Sequence, residues 1–241
     1  MKDTIDVTET CCDLAAAMRW FARLGMNEGI ANHVSMATED GSQIVINPAG
    51  RHWAAIRASD FVTLDAAVPP PPDVPVERTA WAIHGALHRN VPGAGCVMHL
   101  HSRAATALSC LADPTLPPVD QNAMRFFNRV SVDLGYDGMG LGDEAERLSR
   151  AIGNHRMLMM GQHGVLAVAQ TVGQCFDALY YFEKAADTYL YALSTGRPLN
   201  IASDAVAEKT AQQWEEELTS GDQHLAAIRE VLDAEGSDYA A

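Results

Sequence analysis

His99 and His101 stand two residues apart at the end of the apolar run GCVMHLH. Side chains of a strand alternate faces, so an i, i+2 pair projects from one side. Two imidazoles held a few Å apart are suited to share a divalent cation, although a strand can also end on two half-buried histidines with no ligand. His163 lies in Gly161-Gln162-His163-Gly164, between the apolar runs MLMM and VLAV. Glycines on either side let a turn aim the imidazole into a cleft, and a solvated hairpin histidine is the alternative. His84 and His88 are four apart on a helical pattern and share a face. HGALH is not the zinc-protease helix, because Gly85 stands where that motif needs Glu. The expectation is that one of the pair lines a site and the other is at the surface. His33, in Ala31-Asn32-His33-Val34-Ser35, falls in a polar turn beside predicted strands. His52, His155 and His224 read as ordinary surface residues, and Glu183 as a helix-face acid.

The elements that must position these groups alternate between strand and helix. Residues 8–25 read as a helix closed by Gly25, VSM and QIVI as short strands about the turn EDGS, and FVTL as another strand. AAVPPPPDVP is too rich in proline for either element and reads as a surface loop, with Pro75 as the first residue of the helix carrying His84. Glu77 opens that helix seven residues before His84, roughly on the same face; an acid there also suits a helix N-terminus in its own right. Then follow the strand ending in HLH, the helix SRAATALSCLA, the strand RVSVDL with its glycine-rich end GYDGMGLG, and the helix GDEAERLSRAIG. MLMM and VLAV read as buried strands, with Met157, Met159 and Met160 as core. A long helix over 171–194 and a mostly helical, acidic stretch over 202–233 complete the chain. The intermixing predicts layered α/β structure.

Composition bounds the function classes. The 241 residues are 48% apolar and 20% charged, which suits a compact fold and excludes a disordered or collagen-like chain. The formal charge of −14 matches neither a nucleic-acid backbone nor an anionic membrane. No apolar run approaches the roughly 20 residues of a membrane span, and the acidic start is unlike an export signal. Five cysteines without a CxxC pair suit a reducing cytoplasm better than a disulfide framework. No dinucleotide-binding GxGxxG, phosphate loop or GxSxG elbow is present.

In order, GIANHVS, IVINPAG, IHGALHRNVPGAGCVMHLHS, MLMMGQHGVLAV and a long helix with YFEKAA resemble the class II aldolase/adducin family over roughly residues 10–195. The resemblance implies a three-layer α/β/α sandwich about a mostly antiparallel sheet. It implies one divalent metal per subunit, Zn²⁺ or Mn²⁺, on His99, His101 and His163, and a homotetramer. The chain is accordingly expected to be one such domain over 1–241, with 202–241 as a helical, acidic C-terminal extension. Two departures bear on chemistry. Sugar-phosphate aldolases of the family carry an acid four residues before the histidine matching His84, where this chain has Ala80. Their phosphate-gripping T-P-[ST]-G is here Asn47-Pro48-Ala49-Gly50, without hydroxyls. The spacing VERTAWAIH is similar to the adducin-like branch and its bacterial relatives, some of them decarboxylases.

The expectation from these residues is a cytoplasmic metal-dependent carbon–carbon lyase, a decarboxylase or aldolase. Its substrate would be a small non-phosphorylated hydroxy- or oxo-acid, passing through a metal-stabilised enolate. Glu77 is the candidate acid/base, and His33, Asn47, Gly50 and His84 are the candidate substrate contacts. The alternative is an adducin-like metal-binding or scaffold protein without turnover. Neither reading calls for a nucleic-acid or membrane partner.

Overall fold

A computed structural model describes residues 7–38, 40–136, 143–217 and 219–241. Its strands are β1 (His33–Ala37), β2 (Gln43–Ile46), β3 (Val62–Asp65), β4 (Cys96–Leu100), β5 (Val130–Asp133), β6 (Met157–Met160) and β7 (Gly164–Ala169). They form a 7-stranded sheet in the order β3-β2-β1-β4-β7-β6-β5. Neighbouring strands are antiparallel except β5 and β6, which run parallel. The helices are α1 (Val7–Arg23), α2 (Arg78–Asn90), α3 (Arg103–Ser109), α4 (Gln121–Arg125), α5 (Glu144–Ala151), α6 (Val172–Ser194), α7 (Asp204–Glu216) and α8 (Ser220–Ala234).

The alternation of strand side chains builds the layers. Cys96, Met98 and Leu100 of β4 and Val165, Ala167 and Ala169 of β7 pack against α1, α3, α6 and α8. The residues between them, Val97, Leu166 and Val168, meet Ile83 and Leu87 of α2, Leu148 of α5 and Ile152 at its C-cap. Two helical layers therefore enclose the sheet, as the expected α/β/α sandwich requires. Because β6 and β7 are covered on both faces, they are apolar without alternation and buried throughout.

Several elements differ from the expectation. The helix carrying His84 starts at Arg78 with Glu77 as its N-cap, not at Pro75. Pro75 stays in the loop, where its carbonyl accepts the Ala49 N–H at 2.7 Å. The stretch 202–233 is two helices, and α4 is a short helix hidden from hydrophobic periodicity, its N-terminus capped by Asp120. Most of GYDGMGLG lies outside the described residues.

Two residues expected to be ordinary are structural. Glu183 of α6 is no simple helix-face acid. Its carboxylate accepts the Ser102 hydroxyl at 2.6 Å and the Ala104 and Ala105 N–H groups at 2.8 and 2.9 Å. That places a negative charge on the N-terminus of α3, which begins two residues after His101. His224 of α8 lies 2.7 Å from the buried Asp177 carboxylate, which Arg125 also holds at 2.6 Å, so α4, α6 and α8 meet on one acid. His155 also has a partner, the Ser131 hydroxyl at 2.9 Å.

The C-terminal segment is built into the core, where Leu225, Ile228, Leu232 and Tyr239 join the apolar layer of α1 and α6. α8 approaches α6 closely at two glycines: a Cβ on Gly221 would fall 2.8 Å from Gln174 Cα, and one on Gly173 would fall 2.7 Å from Asp222 Cα. Gly221→Val is therefore expected to cost about 1–3 kcal/mol, read calorimetrically as a lowered thermal midpoint. A variant as stable as the parent would show that α8 does not dock on α6 in this way.

Candidate metal centre

His99 is fixed by the strand beyond it. Its Nδ1 lies 3.0 Å from the Val165 carbonyl of β7. A carbonyl only accepts, so Nδ1 carries the proton and Nε2 is bare. His101, one residue past β4, is oriented from the opposite side, where its Nδ1–H donates to Glu28 Oε2 at 2.5 Å. Its Nε2 faces that of His99 at 2.8 Å. His163 enters from the β6–β7 turn, which Gln162 closes with a left-handed φ of 59°. Its ring is 4.8 Å from that of His99 and 4.7 Å from that of His101, centroid to centroid. One ligand nitrogen from each of the three lies within 4.8 Å of the others.

This donor set fits a metal ion. With both Nδ1 atoms committed to acceptors, neutral His99 and His101 turn two nitrogen lone pairs toward each other, an arrangement that repels unless a proton or a metal cation lies between them. His163 adds a buried Nδ1 without a hydrogen-bond partner among the described residues. Burial, reinforced by the neighbouring His33, His101 and His163, pushes the His99 imidazole far below its ordinary pKa. Burial, then His101, lowers His163 to about 4. Neutral imidazoles are the form that binds zinc or a similar divalent ion, and three protein ligands leave a position open for substrate. The Glu28–His101 and Val165–His99 bonds are outer partners of the kind that fix a ligand's tautomer and raise its basicity.

The other sequence candidates are placed as follows. His33 is the cross-strand partner of His99, with ring centroids 5.0 Å apart. His84 is fully buried behind it, both nitrogens taken, by His33 Nδ1 at 2.7 Å and Ser35 Oγ at 2.5 Å. It therefore has no nitrogen left for a substrate. His88, in turn, contacts Ser35 rather than standing free at the surface. Asn47 is buried, its Oδ1 accepting the Val34 N–H at 2.8 Å, so it ties the end of β2 to β1. Gly50 sits in an exposed turn at φ 75°. Glu77 is exposed and accepts the Thr79 hydroxyl at 2.7 Å. Seven residues of helix separate it from His84, about 10 Å along the axis. Ala80 is buried with Ile46 and Val76.

Sequence reasoning missed Glu28 and Ser35. Ser35 could have been found from strand alternation, since it shares a face of β1 with His33. Glu28 lies 73 residues from its partner in an exposed loop shaped by the left-handed Asn32, whose Oδ1 accepts the Glu28 N–H at 2.9 Å. No local spacing marks it.

Residues 12–190 match the family described as Class II Aldolase and Adducin N-terminal domain. The chain belongs to that family. Among its curated class II aldolase/adducin relatives is the decarboxylase NovR of Streptomyces niveus, 30% identical over 83% of this chain and 75% of its own. An L-fuculose phosphate aldolase of Escherichia coli is 24% identical over 82% of this chain and 87% of its own. The crystal structure of an aldolase II superfamily protein from Pseudomonas syringae superposes with a TM-score of 0.87 at 26% identity, covering 100% of this chain and 98% of that one. Class II aldolases generally use a divalent metal, and the triad found here is able to hold one. No helix among the described residues is long and apolar enough to cross a membrane.

Protein equilibrated with zinc is expected to retain about one ion per chain, and His99→Ala or His163→Ala to lose it, by elemental analysis. Glu28→Gln should still bind, but about 10–100-fold more weakly in a chelator competition, because only the orientation of His101 is lost. Unchanged affinity in Glu28→Gln would remove that carboxylate from the site.

Proposed function

We propose that this chain is a divalent-metal-dependent carbon–carbon lyase, a decarboxylase or aldolase, acting on a small non-phosphorylated hydroxy- or oxo-acid. The observation that carries the reading is the convergence of the His99 and His101 Nε2 atoms at 2.8 Å beside His163, each of the first two anchored through Nδ1. A divalent ion held by the three, Zn²⁺ or Mn²⁺, would supply Lewis acidity, stabilising the enolate left when a carbon–carbon bond beside a carbonyl breaks.

The chain's own residues narrow the chemistry. Ala80 packs into an apolar cluster, so the acid that sugar-phosphate aldolases place there has no counterpart on α2. The segment Asn47-Pro48-Ala49-Gly50 offers no hydroxyl to a phosphate, and the Asn47 side chain is committed to the backbone. Both features support a carboxylate substrate without a phosphoryl group. Glu77 lies about 10 Å along α2 from His84, and His33, beside His99, is the nearer group able to accept a hydrogen bond from a substrate. The reading takes a cytoplasmic homotetramer of this one domain as the working form, as the family resemblance implies.

Zinc- or manganese-loaded protein, offered a panel of hydroxy- and oxo-acids, is expected to release CO₂ or an aldehyde. Activity should vanish on treatment with EDTA and return with the metal. Turnover unchanged by EDTA would overturn the mechanism, and metal binding without turnover would favour the adducin-like binding role.

A further inference from the structure

A continuous hydrogen-bonded chain runs from the metal centre into the layer between the sheet and α2. His33 Nδ1 lies 2.7 Å from His84 Nε2, and His84 Nδ1 lies 2.5 Å from Ser35 Oγ. Ser35 Oγ lies 2.7 Å from His88 Nε2, and His88 Nδ1 ends the chain 2.6 Å from the Ala94 carbonyl. The register that pairs β1 with β4 puts His33 opposite His99 and Ser35 opposite Val97, so both residues face α2, where His84 and His88 sit one turn apart.

The last acceptor sets the direction of every bond. The Ala94 carbonyl only accepts, so His88 Nδ1 carries a proton. His84 and His88 are both enclosed, and like charges side by side in that layer would be costly, so the imidazoles are neutral. A neutral His88 has a bare Nε2, which accepts the Ser35 O–H. The Ser35 oxygen then accepts from His84 Nδ1–H, leaving His84 Nε2 bare to accept from His33 Nδ1–H. His33 Nε2 is left bare in turn, with no hydrogen-bond partner among the described residues, on a ring centred 5.0 Å from that of His99.

We propose that His84, Ser35 and His88 are positioning residues that lock His33 in the Nδ1–H tautomer, so that its bare Nε2 faces the metal centre as a hydrogen-bond acceptor. The lock rests on the hydrogen bonds alone; its use in catalysis rests on the lyase reading. In that use, a substrate hydroxyl donates a hydrogen bond to His33 Nε2, which orients it beside the metal centre. Such an acceptor suits a hydroxy-acid, whose hydroxyl has a proton to donate.

The test reads tautomers directly by long-range ¹H–¹⁵N correlation of histidine side chains in the full ¹⁵N-histidine-labelled chain, with zinc and after EDTA. His33, His84 and His88 should each be protonated at Nδ1 and bare at Nε2, the opposite of the preference of free imidazole. In Ser35→Ala, His88 should keep its Nδ1–H on Ala94, while His33 and His84 shift toward Nε2–H. An Nε2–H form at His33 or His84 in the parent protein would overturn the proposal whether or not the variant folds. So would a Ser35→Ala spectrum with both tautomers unmoved. Zinc content, measured on the same samples, separates this from the lyase reading, since a lock present in protein that binds no zinc would refute only the latter.

Discussion

The register of β4 between β1 and β7 is the constraint on which the site depends. His99 pairs across β1 with His33 and across β7 with Leu166, and its Nδ1–H reaches the Val165 carbonyl. Strand side chains have a period of two, so a slip of one residue would send His99 into the apolar layer and bring Met98 or Leu100 to the metal position. Burial prevents that slip. Cys96, Met98 and Leu100 are each fully buried on the face of α1, α3 and α6, and a slip of one residue would turn all three to the other face. The apolar core thus sets the position of the polar site, and the Glu183 carboxylate on the start of α3 fixes where the chain turns after His101.

Six imidazoles wholly or partly sheltered from solvent would be a liability without partners, because each buried ring nitrogen left unpaired costs free energy. The fold meets this in two ways. His84 and His88 are satisfied within the protein by Ser35 and Ala94, and His33 gives its Nδ1–H to His84. His99, His101 and His163 instead leave nitrogens facing one another, a need that a proton or a metal cation meets. The chain satisfies its nitrogens within the protein, whereas the triad leaves its own converging on one point where a metal ion could be held.

Much of this was legible in the sequence. The period of two in GCVMHLH put His99 and His101 on one face, and the glycines around His163 marked a turn between apolar strands. Ordered as they are, these segments also implied the family. What was hidden depended on tertiary proximity. Glu28 reaches His101 from a loop 73 residues away. Glu183 looked like any acid on a helix until α3 came to rest against it. His88 seemed a surface residue because helical spacing tells which face it shares with His84, not what that face meets. Pro75 fits the first turn of a helix by conformation, but the loop keeps it because its carbonyl is needed by Ala49. The docking of α8 through Gly173 and Gly221 had no local signal either, since close contact between two helices is a property of the pair.

The proposed chemistry depends on one ion being held jointly, through imidazole nitrogen, by the β4 end and the β6–β7 turn. X-ray absorption at the zinc edge of the zinc-loaded chain reads that ligand set. Its first shell is expected to contain three imidazole nitrogens at about 2.0–2.1 Å, completed by oxygen from solvent. Sulfur in that shell, or fewer than two imidazoles, would contradict it.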